Sequence, residues 1–294
     1  MKILIPNLPF YHFRNIAGCL ETISPRIDSQ TFLWRTEEKS MIDVFDEVSP
    51  DLVFLHENQL DGAFNILCKE FDFEYVLVSS KDHPDTDKKP SAVITSQQFE
   101  TNFKNQKNLM SLLPAAKVTE IHAGQQRKML ESEVLIVTGV VPNTEEVVDS
   151  MRSLCQAYRT KIIGDAAIPI PNYLGKVSIF ERADFIKSAK VLVDFGSYDY
   201  LDASYLKTAP LLRGPALPPL EKVQTFSSIT TLMERVDSLL SEHATHSKEY
   251  TEAMYEDVVC NHTYYHRCAQ VFNALGMAEI ADAFLMFLKE ELLQ

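Results

Sequence analysis

Two short apolar runs, KIIGD at 161–165 and KVLVDFGS at 190–197, limit what this chain can fold into more than any other feature. Each holds a few consecutive apolar residues and ends in glycine and acidic groups, with a helix-like segment between them. Runs of that length, bounded by turn formers, read as strands buried on both faces of a parallel sheet. In open α/β sheets the ligand crevice lies outside the carboxyl ends of the strands. Asp165, Asp194, Gly196, Ser197 and Tyr198 are therefore the first site candidates.

The same alternation runs through the rest of the chain. Strands are predicted at 2–6, 31–34, 52–55, 75–78 and 92–95, with helices at 14–21, 41–48 and 60–71 between them. A helical pattern covers 101–113, and 118–121 closes the first half. The charged loop KDHPDTDKKP interrupts the series, and His122 to Arg127 is the predicted crossing into a second half. That gives domains at 1–125 and 126–294. The second half opens with a strand at 134–138 and a helix capped by Asn143 or Thr144, with Glu145 and Glu146 at its positive end. After KIIGD come a loop at 172–176, a helix capped by Ser178, KVLVDFGS and one helical turn at 204–208. A helix capped by Ser228 then covers 229–240, one long helix runs from about 248 to 275, and the last runs to about 292.

Composition narrows the classes of function. A chain of 294 residues, 46% hydrophobic, is long enough for one large domain or two of about 150 residues. Its net charge of -13 repels nucleic-acid backbones and anionic membranes over most of the surface, which weakens a nucleic-acid partner but leaves room for a local basic groove. Five scattered cysteines without a Cys-x-x-Cys pair fit reduced thiols in a cytoplasmic protein. The opening MKILIPNLPF reads as a strand and turn, and no apolar run reaches membrane-spanning length.

The order of features over roughly 130–275 resembles the GT-B type glycosyltransferases, and more loosely their CgeB-like branch. The features are the strand ending in Gly164-Asp165, the YLGKV loop at 173–177, the helix holding Arg182 to Ser188, the strand ending at Asp194 to Ser197 and TFSS at 225–228. His262-Thr263 with His266-Arg267 adds to the CgeB-like likeness. The resemblance implies an α/β fold of two facing Rossmann-like domains with a C-terminal helical tail. It also implies a nucleotide sugar bound by the second domain as substrate, an unidentified acceptor on the first, and no tightly bound cofactor. The last helix is expected to pack back on the first domain.

One departure from the family stands out. Such enzymes commonly carry a glutamate after the Gly-Ser strand end, often seven residues before another, and here the segment reads SYDYLDASYLKTAP. Asp199 and Asp202 are the acidic residues left for a ribose-hydroxyl role, with Asp202 the stronger candidate; helix capping is the alternative. Donor phosphates need main-chain N–H groups, as after Gly139 or Gly196, or cations such as Arg182 and Lys187. An ordinary charged helix surface is the simpler explanation of those cations. For the acceptor side, His12, His56, Glu57 and His122 lie at or just after predicted strand ends, and His56, Glu57 and His12 are the general-base candidates.

Other motifs are absent. There is no Walker sequence, no Gly-x-Gly-x-x-Gly and no His-Glu-x-x-His, and His262 with His266 share a helix face without a third metal ligand. Three functions follow: a nucleotide-sugar glycosyltransferase, a phage-type glycosyltransferase acting on modified DNA bases, and an inactive Rossmann-type binding or assembly protein.

Overall fold

The computed structural model describes residues 1–8, 13–81, 88–96, 100, 102–103, 108–138, 144–165, 168–241 and 244–292. The chain forms two compact units, Met1–Leu113 with Tyr264–Gln294, and Pro114–Thr263. The chain thus leaves the first unit about a dozen residues before the expected boundary at 125/126, and its terminal helices, placed in the second domain with the last expected to pack back on the first, are grouped with the first unit.

In the first unit, strands β1 (Lys2–Pro6), β2 (Gln30–Trp34), β3 (Leu52–His56), β4 (Glu74–Val78), β5 (Ala92–Thr95) and β6 (Leu109–Ser111) form one sheet in the order β2-β1-β3-β4-β5-β6. All its pairings are parallel. Alternate residues Leu4, Val53, Leu55, Tyr75, Leu77 and Val93 face a core completed by α2 (Met41–Val48) and α3 (Gly62–Glu70). Phe45, Phe64 and Phe73 supply its rings, with Phe45–Phe73 edge-to-face at 4.9 Å and Phe64–Tyr75 at 5.1 Å. The intervening Ile3, Ile5, Phe54 and Val76 are buried as well. Helix α1 (Phe13–Ile23) packs against α10 (Tyr264–Ala274), which is followed by α11 (Ala278–Phe287) and a π-helical turn at Leu288–Leu292. Burial on both faces explains why the strands read as unbroken apolar runs.

The second unit repeats this scheme. Strands β7 (Ser132–Thr138), β8 (Thr160–Gly164), β9 (Ala189–Asp194), β10 (Ala209–Arg213) and β11 (Gln224–Phe226) form a parallel sheet ordered β11-β10-β9-β7-β8. Val134, Ile136, Ile162, Val191, Val193 and Leu211 pack on α5 (Glu145–Ala157) and α8 (Ile229–Leu240). Their neighbours Leu135, Val137, Ile163 and Leu192 face α6 (Ile179–Lys187) and α7 (Asp199–Tyr205). Fully burying each aliphatic side chain contributes about 1.5–3 kcal/mol, so a one-residue slip that exchanged these two faces would be strongly resisted. Ser178 caps α6 reciprocally with Glu181: Glu181 N donates to Ser178 Oγ at 3.2 Å and Ser178 N to Glu181 Oε2 at 2.9 Å. Thr144 precedes α5 without a side-chain capping bond, and the other expected cap, Asn143, lies outside the described residues.

Three expectations change. The segment expected as a helix at 101–113 contains the strand β6 instead, since Leu109–Ser111 pairs in parallel with β5. Val118–Ile121, for which no element type is predicted, forms the helical turn α4. The turn expected at 204–208 begins earlier, as α7. The single helix expected over 248–275 is two, α9 (Ala244–Asn261) and α10, because Ala116 N donates to His262 O at 2.8 Å and Thr263 bridges to Ala116. That backbone pairing takes the carbonyl a continuous helix would have used.

Candidate functional sites

Each sheet reverses direction at one place. In the second unit the chain passes from β7 outward to β8, then crosses back to β9 on the other side of β7. The crevice therefore opens between the carboxyl ends of β7 and β9. In the first unit the equivalent point lies between β1 and β3.

The loop after β9 is built around one carboxylate. Asp194, 1% exposed, accepts from Gly196 N and Ser197 N at 2.7 Å on Oδ1, and from Tyr200 N at 2.9 Å on Oδ2. Ser197 Oγ donates to Asp199, and Arg182 Nη2 donates to the other oxygen of that fully buried carboxylate. These bonds hold Gly196 at φ 109° and Tyr198 at φ 65°, with the Tyr198 side chain exposed at the crevice end of the sheet. The N–H groups of Gly196 and Ser197 are thus turned inward to Asp194. They stiffen the loop rather than face a ligand.

The remaining candidates fall in different places. Asp202 is 1% exposed and receives Lys117 N at 3.0 Å and Lys117 Nζ at 3.1 Å, so its carboxylate ties α7 to α4. Asp165 follows β8, is exposed, and pairs with Lys176 at 3.0 Å. Lys187 needs correction as a phosphate ligand. It ends α6 just before β9 begins, and its Nζ donates to Leu206 O at 2.7 Å just before β10 begins. Both neighbours place it at the amino edge of the parallel sheet, opposite the crevice. Burial, reinforced by nearby Lys207, lowers its pKa. Gly139 and His12 lie outside the described residues.

In the first unit, His56 ends β3 and Glu57 follows it at the switch point. His56 is 8% exposed, and burial lowers its pKa below the ordinary histidine value, with Glu57 opposing the shift. Its Nδ1 accepts from Asn58 N at 3.3 Å, which in the neutral ring puts the proton on Nε2. Glu57 accepts from Ser79 Oγ at 2.6 Å and Ser80 N at 3.0 Å, groups at the carboxyl end of β4. The result is a neutral imidazole beside an anchored carboxylate. His122 lies elsewhere, closing the α4 turn in the second unit.

Two features of the second unit are not among the candidates singled out from the sequence. Arg213, the last residue of β10, donates from Nη2 to Glu146 in the first turn of α5 at 2.9 Å. Beside it, a cleft of about 430 Å³ is lined by Gly214, Phe226, Ser227, Thr231, Glu234 and Arg235. The signal for Arg213 was present in APLLR, an apolar run ending in a charged residue before Gly214-Pro215. Among the described residues no group of three or more His, Cys, Asp or Glu side chains is placed to hold a metal, and no helix is long and apolar enough to cross a membrane.

No family model matches the chain, and no curated protein matches it. Solved structures do. An α-glucosyltransferase in complex with UDP-glucose and DNA containing an abasic site is 10% identical, with a TM-score of 0.69, over 94% of this chain and 98% of that one. Sucrose-phosphate synthase from Thermosynechococcus elongatus is 10% identical, with a TM-score of 0.61, over 93% and 98%. A UDP-N-acetylglucosamine 2-epimerase is 10% identical, with a TM-score of 0.55, over 97% and 95%. The chain has the α/β fold of the GT-B glycosyltransferases, which these epimerases resemble; the likeness does not single out the CgeB-like branch.

Proposed function

We propose that this GT-B fold serves a glycosyltransferase that takes a sugar from a nucleotide donor. The observation that carries the reading is the shared fold of its neighbours, several of which were solved with UDP-glucose, UDP or UDP-GlcNAc. The β7/β9 crevice is the donor site, entered past Tyr198 and the loop fixed by Asp194. Asp202 and Asp199 already hold Lys117 and Arg182, so ribose recognition does not rest on either carboxylate alone.

On the acceptor side, His56 and Glu57 divide the work. A neutral His56, at the end of β3, helps to orient an acceptor hydroxyl. Glu57, held by Ser79 and Ser80, is the group that takes the acceptor proton. The DNA-complexed neighbour favours a nucleic-acid acceptor as a second reading, and the net charge of -13 opposes it. Nucleotide-sugar epimerisation is a third, drawn from the epimerase neighbours.

Incubation with UDP-, GDP-, CMP- and ADP-linked sugars, following nucleotide release and the recovered sugar, tests these readings. Slow donor hydrolysis without change at the sugar's C2 supports transfer. Inversion at C2 supports epimerisation, and binding of none of these donors sinks the proposal. Retention on duplex DNA with modified bases at low salt and its loss at high salt would support the DNA acceptor.

A further inference from the structure

Arg213 and Glu146 bracket the donor crevice from two sides. Arg213 ends β10, Glu146 lies in the first turn of the helix that follows β7, and β9 lies between those strands. The pair therefore reaches across the carboxyl end of β9, above the loop that Asp194 organises. We infer that Arg213 is the cation that binds the donor's phosphates, and that Glu146 occupies its guanidinium until the phosphate arrives. The inference rests on the glycosyltransferase reading and adds to it a residue and a competitor.

Three observations carry it. First, among the described residues, two other cations at this edge are committed or remote, and Arg235 lies on α8 in the neighbouring cleft. Arg182 is bound to Asp199, which has no exposed surface, and Lys176 is 78% exposed beyond the outer strand β8. Second, the pair is exchangeable. Glu146 is 56% exposed, and exposed ion pairs are weak, whereas Arg213 is 30% exposed and less screened than a surface lysine. A guanidinium fork suits a phosphate as well as it suits a carboxylate. Third, Gly214, the residue after Arg213, opens on a neighbouring cleft of about 430 Å³ formed with β11 and α8, in the size range of small-molecule sites, although neither Arg213 nor Glu146 lines it. A phosphate in place of Glu146 would also inherit the favourable first turn of α5.

The experiment is calorimetric titration of the full chain with UDP, GDP and ADP and with their nucleosides. The proteins are wild type, Glu146→Gln and Arg213→Gln. Glu146→Gln is expected to bind the preferred diphosphate about two- to fivefold more tightly than wild type, because a weak competing pair is gone. Arg213→Gln is expected to bind it at least about tenfold more weakly, with the nucleoside unchanged in both variants. A wild type that binds diphosphate while both variants match it overturns this inference and leaves the transferase reading standing. Glu146→Gln weakening the diphosphate also overturns it, since an accessory carboxylate and not a competitor would then be at work. A wild type that binds no nucleotide sinks both. The opposite signs expected for the two variants separate the proposal from a merely structural ion pair.

Discussion

Arg182 donates from Nη2 to Asp199, a carboxylate without exposed surface. Breaking a buried pair from one side leaves a charge that neither water nor a partner satisfies. Arg182→Met is therefore expected to destabilise the second unit by about 3 kcal/mol, the low end for a buried pair because Arg182 is partly wet. Arg182→Lys should recover only part of that, since an ammonium lacks the planar fork. The urea midpoint, with an unchanged slope, reads both.

Gly164 approaches β7 more closely than any side chain would allow. At φ 135°, a Cβ there would lie 2.3 Å from Thr138 O and 2.6 Å from Thr138 Oγ1. Gly175 also has positive φ but would meet nothing within 4 Å. Gly175→Ala is expected to cost about 1–2 kcal/mol for conformation alone. Gly164→Ala should cost clearly more, because β7 and β8 must part. Equal losses in chemical denaturation would show that the strand contact is slack.

Tyr198 makes the opposite case. Its left-handed backbone costs a non-glycine residue about 1–2 kcal/mol, and its ring is exposed. Tyr198→Gly relieves that strain and adds about 0.5–1 kcal/mol of chain entropy to be lost on folding. The balance is a variant equal to or up to about 1.5 kcal/mol more stable than wild type. A marked drop in its urea midpoint would mean that the ring packs.

His56 sets a pH dependence whose sign follows from burial. Its folded pKa lies below the unfolded value near 6.5, so between the two the unfolded chain binds more protons. Stability from this residue is full above about pH 6.5 and declines as pH falls toward the lowered folded value. The difference in urea midpoint between pH 7.5 and 5.5 should be smaller for His56→Gln than for wild type. An equal difference would assign the acid sensitivity to the carboxylates.

Much of this was open to reading from sequence, for a definite reason. Strands buried on both faces write themselves as apolar runs, so β1, β3, β4, β5, β7, β8 and β9 were legible. So was the turn after β9, because Gly196 and Ser197 directly follow an apolar run. β6 was not, being three half-buried residues beside a helix-like stretch. The break between α9 and α10 depends on Ala116, far away in sequence. Lys187 was misplaced because a charge does not say which end of a sheet it occupies; only the turn count of α6 does. Arg213 and Glu146, 67 residues apart, meet only once the strand order is known.

The first unit is assembled from both ends of the sequence, and the second from one continuous stretch. During synthesis, everything Pro114–Thr263 needs has emerged while the ribosome has yet to release α10. Helix α1, with Phe13, Ile16 and Leu20 on its buried side, waits without that partner through the making of about 240 further residues. The nascent chain therefore carries a finished C-terminal Rossmann-like unit beside an unfinished N-terminal one, and holding that bare helix soluble is a task for translation speed and chaperones.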